Sequence, residues 1–155
     1  MNNAPTDHEV HFRVWYSYWL EVMTATINRR IDTLTNALTL ILGASVFASS
    51  EYSSLFGGAI AILGGCRIAW QFGQKAESAR QQSRRYKGLL DQYSQSDISA
   101  IISSLSVIEE FDSAALSSLF NPARNRACVS LGLKHREKLT LTEKIISFTA
   151  GGNPE

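Results

Sequence analysis

The chain has 155 residues, a formal net charge of +1 and a mean hydropathy near zero, which suits one domain or a hairpin with a modest appendage. So even a charge balance implies no nucleic-acid partner. Two cysteines, Cys66 and Cys128, suggest no disulfide framework, and Met1–Asp7 lacks the basic-then-apolar order of a secretory signal.

Thr6 or Asp7 can cap a helix that begins near His8. Phe12, Trp15, Tyr16, Trp19, Val22 and Met23 recur at three- and four-residue spacing and form an aromatic face. Glu9, Arg13, Ser17 and Glu21 take the opposite side. This face suits either core packing or an amphipathic helix lying in a membrane interface. Residues 1–32 therefore read as a first unit, and Arg29-Arg30-Ile31-Asp32 leads from it into a long apolar stretch.

Residues 33–74 read as an apolar hairpin. Thr33–Ser50 is eighteen residues without a charge. Glu51 interrupts, and Tyr52–Cys66 adds fifteen uncharged residues before Arg67. Eighteen helical residues span about 27 Å, close to the roughly 30 Å hydrocarbon core of a bilayer. A buried central hairpin in a soluble bundle is the competing reading. Charge placement favours the membrane: Arg29 and Arg30 precede the first run, while Lys75, Arg80, Arg84, Arg85 and Lys87 follow the second. Basic flanks stay cytoplasmic, so both termini are expected inside and the turn outside. Tyr52, Phe56, Trp70 and Phe72 lie where aromatic rings suit the interface.

Small residues crowd the hairpin. Ala44 and Ala48 lie four apart, and Gly57, Gly58, Ala61, Gly64 and Gly65 recur at four and seven. In lipid such spacing lets backbones approach, so these five positions are the expected helix-packing or subunit contact. In water, each helical glycine would cost about 1 kcal/mol against alanine. Arg67 is the one charge inside the second run. It either snorkels to the interface as an anchor or lines a pore in an oligomer.

Residues 75–155 read as a cytoplasmic helical region. Ala79, Tyr86 and Tyr93, seven apart, form a short seam on an extension of the second hairpin helix. A stripe from Ile98 through Ile101, Ile102, Leu105, Ile108, Phe111, Leu116 and Leu119 predicts one helix from Asp97 to Phe120, folded back on the preceding one. Asn121-Pro122 opens the next helix, which ends by Gly132. Thr140-Leu141-Thr142-Glu143 has the capping-box pattern and opens a last helix, closed by Gly151-Gly152. The fold class is thus all-α: a two-helix transmembrane hairpin with an N-terminal amphipathic helix and a C-terminal helical bundle.

No constellation suggests catalysis. His8 and His11 lie three apart without the spacing of a helical zinc site, and neither cysteine has a neighbouring histidine to activate it. Glu109, Glu110 and Asp112 read as a solvated face. Gly57-Gly58 and Gly64-Gly65 lack the lysine of a phosphate loop. No cofactor and no metal site is expected, and the chain does not read as an enzyme.

The order of parts resembles the SLATT family, the SMODS- and SLOG-associating two-transmembrane effectors of prokaryotic conflict systems. Arg29-Arg30, the hairpin, and the helix KAESARQQSRRYKGLLDQY carry the resemblance, which covers roughly Trp15 to Asn125. It implies an inner-membrane effector that oligomerises and permeabilises the bilayer in antiviral defence or abortive infection. It also implies a trigger from a sensor protein or a small ligand. A soluble oligomerisation or adaptor module, and a phage-encoded holin-like or exclusion protein, are the alternatives.

Overall fold

The computed structural model describes residues 5–48 and 52–151, and among these the chain is all-helical, without a strand. Six α-helices succeed one another in order: α1 (Asp7–Ala48), α2 (Ser53–Trp70), α3 (Phe72–Gln92), α4 (Ile98–Glu109), α5 (Phe120–Ser130) and α6 (Leu141–Thr149). The turn expected around Glu51, and Gly152 at the C-terminal end, lie outside the described residues.

The boundary expected near residue 32 is not a break in the backbone. Helix α1 runs unbroken for 42 residues, because nothing between Arg29 and Leu34 disfavours a helix. Its start is capped by Thr6: the Glu9 amide donates to Thr6 Oγ1, while the Thr6 amide donates to Glu9 Oε2 at 2.8 Å. Those bonds hold the Glu9 carboxyl below its ordinary range.

The second hairpin helix does not continue smoothly into α3. Gln71 sits between them in the left-handed region, with φ 48° and ψ 44°. The hydrogen-bond ladder passes through this joint, since the Gln71 amide donates to the Arg67 carbonyl and the Lys75 amide to the Gln71 carbonyl. A non-glycine residue held there costs on the order of 1–2 kcal/mol.

Helices α1 and α3 pack antiparallel along the body of the molecule, and α4, α5 and α6 close around them. The register is marked at both ends. The His11 ring stacks on Tyr93 with centroids 4.2 Å apart, and the Asp32 carboxylate lies against Gly73. A Cβ at position 73 would meet Asp32 Oδ1 at 3.3 Å, so glycine there permits the close approach.

The core has two parts. One gathers Val10, Val14, Tyr86, Leu89, Ile101 and Leu105, and the other Met23, Ile27, Leu119, Ala123 and Ala150. Ala79 and Tyr86 of the expected seam are fully buried, and Tyr93 partly so. The buried face of α1 is turned from the one expected. Ser17 and Glu21 are buried with Val14 and Met23, while Phe12, Trp15, Tyr16 and Trp19 are half-buried. Helices α3, α4, α5 and α6 all contact α1, so its buried arc is wider than one apolar stripe.

The helix expected from Asp97 to Phe120 ends at Glu109. Residues 110–116 leave the helix, and a 3-10 turn (Ser117–Leu119) leads into α5. Leu119 still enters the core, but Phe111 and Leu116 are exposed, and the Arg85 guanidinium lies 5.4 Å above the Phe111 ring. Helix α5 opens at Phe120, so Pro122 is its third residue rather than its first, but the ends of α5 and α6 and the start of α6 obey their signals. Gly132 adopts φ +69° after α5, Gly151 adopts φ +76° after α6, and Thr140 and Glu143 form the reciprocal capping box.

Candidate functional site

All of the core residues lie in the body, and the apolar hairpin lies outside it. No residue of α2 is buried. Leu34, Leu40 and Ile41 on α1, and Leu55, Ile62 and Ile68 on α2, are each at least 60% exposed. The two segments touch each other and little else. Among the described residues one helical stretch, Ser53–Gln95, is long and apolar enough to cross a membrane, and none of its apolar part is buried. In the first segment, Thr35 and Thr39 return their hydroxyl protons to the carbonyls of Ile31 and Thr35, and Ser45 to that of Ile41. These three hydroxyls therefore place no unsatisfied donor outward.

Gly57, Gly58 and Gly65 are exposed and Gly64 half-exposed, and a Cβ added at any of the four would meet nothing within 4 Å. Ala61 is exposed beside them. The four glycines thus have open space around them, although Gly64 shares a cleft with Asp32 of α1 and Gly58 one with Leu42.

Arg67 is exposed in the last turn of α2. It lines a cleft of about 640 Å³ with Asp32, Gly64, Ile68, Gln71 and Phe72. Asp32 is the residue that pattern reading passes over here. It looks like one member of a charged flank, yet the fold sets it in the same cleft as Arg67. Asn36 Nδ2 donates to Asp32 Oδ2 at 3.4 Å, and the first turn of α3 approaches it through Gly73. A carboxylate beside the start of a helix is favourably placed for the helix dipole.

The polar groups of the body hold the segment after α4. Glu109 is not merely solvated: it receives Arg13 Nε at 2.6 Å and pairs with the Arg13 guanidinium. Asp112 Oδ1 accepts from Tyr86 Oη at 2.6 Å and from Gln82 Nε2 at 2.9 Å. Burial and then the Asp112 bond push the Tyr86 hydroxyl strongly upward, so it is a permanent donor. Glu21 Oε1 accepts the Ser113 amide at 2.7 Å. Its Oε2, Thr24 Oγ1 and Ser113 Oγ are buried without a hydrogen-bond partner among the described residues.

Burial raises the Glu21 carboxyl above its ordinary value, and nearby Asp112 adds to this against the opposing Ser113 bond. The folded state therefore binds the proton more tightly than the unfolded chain. Stability should fall as pH rises from the ordinary glutamate range through the raised native value. Glu21→Gln keeps an acceptor for Ser113 and removes the buried charge. It should raise the melting temperature at neutral pH by about 2–4 °C, roughly 1 kcal/mol, and flatten this slope. Circular-dichroism melts of both proteins across a pH series measure it, and parallel slopes would sink the assignment.

His11 does not pair with His8 toward a metal. Its Nε2 accepts from Trp15 Nε1 at 3.1 Å, and burial holds its protonation below the ordinary histidine range. Among the described residues no group of three His, Cys, Asp or Glu side chains could hold a metal ion. Cys66 and Cys128 are both free thiols. No protein-family model matches the chain, and neither curated proteins nor solved structures yield a match.

Proposed function

We propose that the chain is a two-span membrane effector whose hairpin, α2 with residues 33–48 of α1, inserts in an inner membrane. Both termini then lie in the cytoplasm. The observation that carries this reading is the uncovered apolar hairpin joined to a separately packed polar body. A soluble adaptor would need another chain to cover all of α2, whereas lipid covers it without one. The basic flanks agree with a cytoplasmic body.

Two spans cannot enclose a pore, so permeabilisation requires several copies around an axis. The open face of Gly57, Gly58, Ala61, Gly64 and Gly65 is the surface on which copies meet in this reading. Arg67 acts as an anchor that sets the depth of α2, with Asp32 across the cleft as its counter-charge. A role in prokaryotic antiviral defence, triggered by a sensor protein or a small ligand, rests on the resemblance to SLATT effectors.

Expression in cells with a potential-sensitive dye tests the reading. The wild-type chain should resist carbonate extraction from membranes and depolarise the cell. Gly58→Leu with Gly65→Leu should stay in the membrane but lose crosslinked oligomers and depolarisation together. Leucine fits the open space within one hairpin, so folding should survive. Unchanged oligomers in that variant would overturn the glycine interface, and a chain recovered from the cytosol would overturn the membrane reading.

A further inference from the structure

A second cleft, of about 450 Å³, opens between α1 and α3 just outside the start of the first uncharged run and the end of the second. Val22, Ala25 and Ala76 give it an apolar lining. Arg29 and Arg30 of α1 and Arg80 of α3 line it as well, against one carboxylate, Glu77. Arg30 is already engaged: its Nη1 donates to the Thr149 carbonyl at 2.7 Å and caps the end of α6. The guanidinium groups of Arg29 and Arg80 make no ion pair or hydrogen bond among the described residues. Two uncommitted arginines thus border one cleft from opposite helices.

From this geometry we infer that the cleft binds a phosphate group, that of an anionic phospholipid headgroup. The inference rests on the membrane reading above. Arg29 lies four residues before Thr33, where the first uncharged run begins, a rise of about 6 Å along the helix. That distance falls within the headgroup layer beside a roughly 30 Å hydrocarbon core. Arg80 is farther from the bilayer, and its long side chain can reach back toward it. A guanidinium offers paired N–H donors that match phosphate oxygens, and two of them can clasp one phosphodiester. Ala76 lies between Arg80 and the end of the second uncharged run, on the membrane side of the arginine, where the glycerol of the same lipid would pass. A free phosphate would use the arginines but gain nothing from Ala76 or from the nearness of the bilayer.

The full-length chain, reconstituted in vesicles of phosphatidylcholine with phosphatidylglycerol, tests this by native mass spectrometry of the released protein. Wild type should carry phosphatidylglycerol in preference to phosphatidylcholine. Arg29→Gln with Arg80→Gln should lower that preference by about fivefold for each arginine, while Arg84→Gln, exposed on α3 outside the cleft, should not. Retained preference in the double variant, or equal loss in Arg84→Gln, overturns the site. Inorganic phosphate supplies the second arm. If it stabilises detergent-solubilised wild type through the same arginines and no lipid is enriched, the phosphate source is free and the lipid assignment is overturned. Absence of enrichment on a protein that stays in the bilayer overturns the site alone. A protein that never enters the bilayer overturns the membrane reading and the site with it.

Discussion

Tyr86→Ala should unfold the helical body. Tyr86 is fully buried, and its ring sits among Val10, Val14, Leu89, Ile101 and Leu105, at the meeting of α1, α3 and α4. Truncation removes the ring, leaves a cavity and deletes the donor to Asp112, which together cost about 3–5 kcal/mol. A domain stabilised by about 5–15 kcal/mol has little left after such a loss. Tyr86→Phe separates the two contributions. It keeps the ring and loses only the hydroxyl, at about 1–2 kcal/mol. Denaturant titration of the three proteins measures both effects. A Tyr86→Ala protein as stable as Tyr86→Phe would show that the ring packs less tightly than its burial implies.

Under the proposed insertion, Ile62→Asp should have the opposite distribution of effects, leaving the body intact and removing the chain from the membrane. Ile62 lies near the middle of α2 and is mostly exposed, and no core residue depends on it. On the insertion scale an aspartate at a helix centre costs about 2.5–3.5 kcal/mol, where isoleucine is favourable. This would reduce insertion of the second span by roughly a hundredfold or more. Membrane fractionation reads the loss, and circular dichroism of the released protein reads the surviving helices. If the variant remained fully carbonate-resistant, Ile62 would not face lipid.

The features legible in the sequence are those that a local rule governs. Thr140 and Glu143 announce a capping box, Gly132 and Gly151 announce helix ends, and the seven-residue recurrence of Ala79 and Tyr86 announces a buried seam. What escapes a local rule depends on more than one element. The α4 stripe reads as continuous through Phe111 and Leu116, but partners on α1 and α3 hold Glu109, Asp112 and Ser113, and the helix stops. Glu21 reads as a solvent-facing acid because its burial is created by α3 and the segment after α4. Gln71 carries no local signal, since glutamine has no preference of its own for the left-handed region. The spacing of the hairpin glycines marks a contact face, but only the structure shows that α1 leaves open space around each of them.

The unbroken α1 makes the molecule a lever. Its 42 residues form a rod about 63 Å long, with the hairpin on one arm and the packed body on the other. The joint at Gln71 interrupts only the second rod, so α1 alone transmits orientation between the arms. In a bilayer, a tilt of about 20°, ordinary for a membrane helix, would swing the far end of such a rod through about 20 Å. If the hairpin inserts as proposed, a force applied to the body near His11 and Tyr93 would thereby gain mechanical advantage over the angle at which the hairpin crosses the lipid.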